Sequence, residues 1–167
     1  HAASIADLLH MPRVVIPPIA ATYSAFGMFA MDVGRNYARS YITRAKVIDL
    51  DRVNALYGDM EREAIEAFGA MGVAAQDVSF SRAAALRYLG PFHEVEVEVP
   101  SGPVDAAALE AAIENFHVRH EQLYTFNMKW QAVELLTFRL RATTPKAPFE
   151  LSRIAEGGED AADAIKR

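Results

Sequence analysis

The sequence predicts an α+β protein whose main body is a two-layer domain, a four-stranded antiparallel sheet with two helices on one face. Three observations predict it. Residues 39–142 read in the order strand, helix, strand, strand, helix, strand, the split β-α-β succession of ferredoxin-like domains. Val95, Val97 and Val99 alternate strictly with Glu94, Glu96 and Glu98, so one sheet face is buried and the other solvated, as in antiparallel sheets. Two long stretches, one running to Gly72 and one following Asp105, repeat their apolar residues with helical period.

The elements follow in order. The chain opens His1-Ala2-Ala3-Ser4 with no initiator Met and passes into apolar sequence, so it is expected to be a piece of a larger protein. Ser4 is read as the N-cap of a short helix to Leu9. Arg13–Ile16 is rich in β-branched residues and is expected as a short strand buried on both faces. Pro17-Pro18 turns the chain, and a helix is expected from Ile19 to about Tyr37, with Gly27 and Gly34 admitting a close backbone. This helix–strand–helix segment, residues 1–38, is expected to pack incompletely. Val14–Met31 has no charged residue, but the prolines and small polar residues argue against a membrane span, and no basic region marks a signal peptide.

In the main body, 39–144, Tyr41, Thr43, Ala45 and Val47 alternate with Ser40, Ile42, Arg44 and Lys46 in a strand from Arg39 to Val47. Asp49 or Asp51 caps the next helix, which buries Val53, Leu56, Met60, Ala64, Ala67, Phe68 and Met71 and stops at Gly72. Asp59, Glu61, Arg62, Glu63 and Glu66 are expected in water. Val78, Phe80, Ala84, Leu86 and Tyr88 share a strand face interrupted by Arg82, and Gly90-Pro91 turns into the valine–glutamate strand. Asp105 caps the second helix, with Leu109, Ile113, Phe116, His120 and Leu123 on its buried side. Ala132–Ala142 is the last strand, Leu136, Phe138 and Leu140 facing one way and Arg139 and Arg141 the other. The outward glutamates and arginines are expected to pair across neighbouring strands. Residues 145–167, rich in Gly and acid, read as a linker or truncated end with a short helix over 161–166.

Composition bounds the function. Hydrophobic residues at 51% and charged residues at 23% are globular values. A net charge of −5, with no run of three basic residues, argues against nucleic acid and anionic membrane surfaces as partners. Without cysteine the chain has no disulfide, thiolate metal ligand or thiol nucleophile, which agrees with a cytoplasmic protein.

Chemistry-bearing motifs are sparse. His117 and His120 lie three apart on one helix with His93 on a nearby strand, a spacing that can serve a metal. His120 falls in the apolar stripe, however, where a hydrogen-bonded core histidine is the commoner outcome, and no HExxH or CxxC motif accompanies it. No metal is therefore expected, His93, His117 and His120 being weak candidates. Glu94, Glu96 and Glu98 read as a solvated strand face. No P-loop, G-x-G-x-x-G or G-x-S-x-G motif occurs. Tyr124-Thr125-Phe126 and Trp130 are read as an aromatic cluster serving packing or a domain contact. From the residues alone, this is a structural or positioning domain.

Several stretches carry a resemblance. His1-Ala2 with Ile5-Ala6-Asp7-Leu8-Leu9, Pro12-Arg13-Val14-Val15-Ile16-Pro17 and Ser24-Ala25-Phe26-Gly27 resembles the A-type subunit of the hydantoinase/oxoprolinase family. Arg87-Tyr88-Leu89-Gly90, Phe116-x-x-x-His120-Glu121-x-x-Tyr124 and Glu134-Leu135-x-x-x-Arg139-Leu140 look like that family's C-terminal region. Order and spacing, up to about Thr144, are more specific than any one motif. The resemblance implies a large cytoplasmic ATP-dependent enzyme, a homo-oligomer partnered by a B-type subunit, with an actin/Hsp70-like nucleotide-binding domain of which residues 1–38 are the tail. In such enzymes ATP phosphorylates a carbonyl or amide oxygen, and water opens a hydantoin or 5-oxoproline ring. In the acetone and acetophenone carboxylases an enolate captures an activated carboxyl group instead. The phosphate turns and acidic magnesium ligands are implied upstream of His1, so the resemblance assigns no catalytic or cofactor-binding residue here, and the piece alone is expected to be inactive and to bind no cofactor. Gly90-Pro91-Phe92 stands where many members have Gly-Gln, and Leu123-Tyr124-Thr125-Phe126 where many have Tyr-Gly or Phe-Gly. These departures look closer to the ketone-carboxylase branch and leave the substrate open. A purely subunit-assembling domain is the non-catalytic alternative.

Overall fold

The computed structural model describes residues 1–17, 19–90 and 92–145. Contacts divide them into two units, 1–31 and 32–145. The expected linker at 145–167 and its short helix lie outside the described residues beyond Pro145, as do Pro18 and Pro91 of the two expected proline turns.

The first unit holds α1 (Ala2–Leu8), a 3₁₀ turn (Ala20–Thr22) and α2 (Tyr23–Ala30). Its N-cap is His1, without a side-chain capping bond, rather than Ser4, which sits inside the helix. The strand expected over Arg13–Ile16 does not form: a strand needs a neighbour to take its N–H and C=O groups, none pairs with it among the described residues, and Val15 and Ile16 are 77% and 73% exposed. The helix expected to reach Tyr37 stops at Ala30, Met31 being extended.

The reason for the early stop is a strand. β1 (Val33–Arg44) pairs along its length with β4 (Val133–Thr144), from Val33 opposite Thr144 to Arg44 opposite Glu134. This ladder satisfies backbone groups that a longer helix would have satisfied internally, and it overrides the local pattern. Gly34 admits the close approach foreseen for it, but within the sheet: a Cβ there would stand 3.4 Å from Thr143 Cγ2. At Gly27 nothing lies within 4 Å of that position. β1 ends at Arg44, and Ala45–Val47 is a 3₁₀ turn with Val47 exposed. Tyr37, Arg39, Tyr41 and Thr43 form the half-buried face.

α3 (Leu50–Gly69) starts at Asp49, whose carboxylate accepts from the Arg52 N–H at 3.1 Å. It buries Val53, Tyr57, Met60, Ala64 and Phe68. Met71, expected inside, is exposed because the helix has already ended, and the chain turns at Gly72 with φ +80°. β2 (Ser79–Tyr88) and β3 (Val95–Val99) form an antiparallel pair, and Val95, Val97 and Val99 are all buried. α4 (Ala106–Tyr124) starts at Asp105, which accepts from the Ala108 N–H at 2.8 Å, and ends at Thr125 in the left-handed region. Its buried residues are Ala112, Phe116, His117 and His120, while Leu123 is exposed.

The result is a four-stranded antiparallel sheet in the order β1-β4-β2-β3. β1-α3-β2 straddles β4, and β3-α4-β4 straddles β2, so two split β-α-β units interlock with β4 and β2 at the centre. Residues from α3, α4 and all the strands except β1 share one buried core, with Tyr37 and Tyr41 of β1 packed against it. Both helices therefore cover one face. β4 departs from simple alternation. Against β2, Leu136 is an extra residue between Leu135 and Thr137, a bulge that lets Leu135 and Phe138 face the core together. Against β1 the extra residue lies on β1, where Tyr41 and Ile42 stand against Leu136. Leu136 does not share the Phe138–Leu140 face as expected from the sequence.

Arg82, the interruption on β2, is accommodated rather than excluded. Its Nη2 lies 2.7 Å from Glu61 Oε1 on α3, a second guanidinium nitrogen reaches the Gly102 carbonyl, and its plane sits 4.7 Å from the Tyr57 ring centroid. Glu61 is thus drawn out of the expected solvated face. The outward charges pair over a longer span than expected. Arg139 of β4 bonds Glu96 of β3 at 3.0 Å, across β2, where the facing residues Ala83 and Ala85 are small enough to pass beneath. Arg87 and Glu134, directly opposite on β2 and β4, pair at 3.0 Å.

Candidate functional site

The densest group of titratable and aromatic side chains lies where β2 ends, α4 ends and the segment 125–132 leads into β4. Tyr88 is its hub. The end of β2 carries its ring into the core, where Phe116 is 4.8 Å and His120 4.8 Å away between ring centroids. Its hydroxyl accepts from the Met128 N–H at 2.8 Å and lies 2.8 Å from His117 Nδ1. Among the described bonds Nδ1 is the one acceptor within reach of the buried Tyr88 proton, so the arrangement that satisfies that proton directs it at Nδ1 and places the proton of neutral His117 on Nε2.

His120 is different. Its Nδ1 lies 2.9 Å from the Phe126 carbonyl, which only accepts, so Nδ1 carries a proton. Its ring also contacts Tyr124 and Phe126, with centroids at 4.7 and 5.0 Å. His120 is thereby the hydrogen-bonded core histidine that its place in the apolar stripe suggested. Tyr124 stacks on His93 at 5.7 Å.

Burial lowers the basicity of His117, Lys129 and His120 lower it further, and Glu114 opposes them. Burial raises the Tyr88 phenol, against the bond from Met128. Lys129 binds Glu114 at 2.5 Å and holds that carboxyl below the usual range. The segment has further ties: Asn127 to Glu121 at 2.8 Å, Gln131 to the Leu89 carbonyl at 2.9 Å, and the Leu89 N–H to the Ala132 carbonyl at 2.7 Å.

The three histidines singled out from the sequence do come near one aromatic cluster, but not as ligands of one ion. His117 and His120 each turn Nδ1 to a different protein partner, His93 stacks on Tyr124, and among the described residues no group of three or more His, Asp or Glu is placed to hold a metal. Trp130 does not join the cluster. It is 81% exposed, whereas Tyr124 and Phe126 do contact His120. Sequence reading missed Tyr88 as the polar hub and His117 as a buried residue. Arg87-Tyr88 reads as ordinary strand alternation, and His117 lies beside the stripe rather than in it.

The bonds given above tie the Tyr88 hydroxyl and the Nδ1 atoms of His117 and His120 to neighbouring backbone and side chains, and so fix segment 125–132 to the ends of β2 and α4. A void beneath Tyr57 and Phe138, about 10 Å³ and lined by apolar side chains, is too small and dry for a ligand. No described helix is long and apolar enough to cross a membrane.

Comparison with known proteins places this domain. The family model for the hydantoinase/oxoprolinase C-terminal domain matches residues 42–144. The caprolactamase subunit alpha of Pseudomonas jessenii is 25% identical over 139 residues, which are 81% of this chain and 20% of that protein. The chain thus spans about a fifth of the curated relatives' length. Among solved structures, the ATP-dependent caprolactamase from Pseudomonas jessenii superposes with a TM-score of 0.69 at 22% identity, covering 97% of this chain and 24% of the other. An acetone carboxylase in a nucleotide-free structure gives 0.70 at 20% identity, covering 78% and 20%. These two share the fold, and the family model covers more than half of the chain, all but the first strand residues of the β-α-β-β-α-β unit just described: the chain belongs to the hydantoinase/oxoprolinase family and carries its C-terminal domain.

Proposed function

We propose that this chain is the C-terminal portion of an ATP-dependent enzyme that hydrolyses cyclic amides, and that its own part is to position and assemble rather than to catalyse. The observation that carries the reading is the 25% identity to caprolactamase subunit alpha across 81% of the chain, since caprolactam, hydantoin and 5-oxoproline are all cyclic amides. In this reading residues 1–38 belong to the tail of an actin-like nucleotide-binding domain, 39–144 form the positioning domain and the rest is linker. ATP and magnesium bind elsewhere in the parent protein, which works in the cytoplasm as a homo-oligomer with a B-type subunit. The residues present do not fit a magnesium–nucleotide site. Their sequence has no glycine-rich phosphate turn, and among the described residues no group of three or more His, Asp or Glu is placed to hold a metal.

A ketone carboxylase is the second reading, favoured by the TM-score of 0.70 to acetone carboxylase. The parent protein, co-expressed with its genomic neighbour, distinguishes them. Caprolactam, hydantoin and 5-oxoproline are supplied with ATP in one series, and acetone or acetophenone with bicarbonate and ATP in the other. Ring opening coupled to ATP consumption is the expected outcome, and carboxylation of the ketone alone overturns the cyclic-amide assignment. Full catalysis after removal of 39–167, with loss only of subunit association, assigns the domain purely to assembly. The isolated 167-residue chain is expected to bind no magnesium-ATP by calorimetry. It is expected to self-associate in sedimentation through Val14–Met31, where Val15, Ile16, Tyr23, Met28 and Met31 are exposed. Micromolar nucleotide binding contradicts the first half, and a strictly monomeric species the second.

A further inference from the structure

The segment 125–132 leaves α4 through a left-handed Thr125 and returns to the sheet with Trp130 fully presented to solvent. One of its anchors is unlike the others. The Met128 N–H is held by Tyr88, and the Tyr88 proton is in turn received by His117 Nδ1, with His117 6% and Tyr88 0% exposed. We propose that Tyr88 and His117 form a proton-operated latch on segment 125–132, closed when His117 is neutral and released when Nδ1 takes up a proton.

The chemistry is a matter of counting protons. A phenol has one proton to give. With His117 neutral, that proton goes to Nδ1 and a lone pair receives the Met128 N–H. Once Nδ1 is protonated it becomes a donor aimed at the same oxygen, and the Tyr88 proton loses its acceptor inside the core. Either the imidazolium or Met128 must then withdraw, because a buried donor without a partner costs more than one hydrogen bond contributes.

The surroundings decide which histidine operates the latch. Around His117 stand Glu114 and His120 on α4, Tyr88 on β2, and Lys129 on the held segment, with Glu121 also near Tyr88. Lys129 and burial oppose protonation and Glu114 favours it. Because Glu114 is held ionised by Lys129, it stays charged across the range where histidines titrate. His120 cannot work the same way. Its Nδ1 already donates to the Phe126 carbonyl, so a second proton enters at Nε2 and leaves that bond intact. His93 contacts Tyr124 by its ring face and does not touch the segment's backbone bonds described here.

Trp130 is the sole tryptophan of the chain and reports the segment directly. The anisotropy of its fluorescence and the protection of the Met128 amide against hydrogen exchange are followed from pH 8 to pH 5, with circular dichroism monitoring the fold. Protection at Met128 is expected to fall roughly tenfold as the pH drops, the scale of one lost hydrogen bond, with lower fluorescence anisotropy of Trp130 and unchanged secondary structure. Tyr88→Phe is expected to show the released values at every pH. In His117→Asn the amide oxygen takes the place of Nδ1 and cannot be protonated in this range, so the latch is expected to stay closed at pH 5. A pH step that survives in His117→Asn overturns the proposal, as does wild-type protection at Met128 that does not change between pH 8 and pH 5. If Tyr88→Phe fails to fold, the His117→Asn comparison alone decides.

Discussion

Single side chains hold this domain together at points where backbone would otherwise be stranded. Asn54, on α3, gives Nδ2–H to the Val104 carbonyl at 3.0 Å and accepts the Val104 N–H on Oδ1 at 2.7 Å. It does for the loop before α4 what a neighbouring strand would do, and Val104 is buried. Asn54→Ala leaves both groups unpartnered, and urea denaturation is expected to show a loss of about 2–4 kcal/mol, roughly one to two per group. Glu61 and Arg62 are adjacent residues with opposite prospects. Arg62 pairs with Asp59 in water, while Glu61 meets an Arg82 whose side chain is only 10% exposed. Arg62→Ala is expected to cost under about 0.5 kcal/mol. Glu61→Ala, which leaves the guanidinium with the Gly102 carbonyl alone, is expected to cost about 1–3 kcal/mol. Equal losses in the two variants contradict this account of Arg82. The helical period singles out neither Asn54 nor Glu61, because both lie on the boundary between the apolar stripe and the charged face, where a partner fifty or twenty-one residues away decides the role.

At the scale of an element, β4 is the most informative. Removing Leu136 from its sequence leaves Val133, Leu135, Phe138, Leu140 and Ala142 in unbroken alternation with Glu134, Thr137, Arg139 and Arg141. Against β2 the bulge is therefore one extra residue in an otherwise regular strand, and side chains on either side keep their faces because the pairing skips it. Deletion of Leu136 is expected to preserve cooperative unfolding at a cost of roughly 2–3 kcal/mol for the lost buried side chain. Deletion of Arg139, in the regular stretch, turns Phe138 out of the core and Thr137 into it and is expected to prevent folding. Cooperative thermal unfolding of the Arg139 deletion, monitored by circular dichroism, contradicts that register argument. Helix boundaries show the same dependence on context. Asp105 caps its helix as its sequence position suggests, and Asp49 is the one of the two candidates, Asp49 and Asp51, that caps α3, since a cap is a local bond spanning three residues. The end of α2 is not local: it is set by β4, about a hundred residues away in the chain.

For the molecule as a whole, His117 links stability to pH. Its folded basicity lies below that of a free histidine, whose pKa is about 6.5. Above that value both folded and unfolded chains are neutral at this residue, and its contribution is fully present. As the pH falls below about 6.5, the unfolded chain binds the proton first, so stability declines until the folded value is reached and then levels off. The urea midpoint is expected to fall between pH 7.5 and pH 5, and His117→Asn to flatten that part of the profile. An identical slope in that variant assigns the dependence to other groups.

The succession of strands and helices over residues 39–142, the buried valine face of β3 and the cap at Asp105 were determined by the sequence alone, because each rests on periodicity or on a bond between near neighbours. Between Asp49 and Asp51 as the cap of α3, the structure chose Asp49. The α+β class and the resemblance to the hydantoinase/oxoprolinase C-terminal region follow from the same local order. The tertiary structure alone decided the rest. It turned residues 33–37 from helix to strand, placed β4 and β2 at the sheet centre, and joined Tyr88 to His117 and Arg82 to Glu61. In every such case the deciding partner is distant in sequence, and a strand's hydrogen bonds or a buried charge's neutralisation exist only once that partner has arrived.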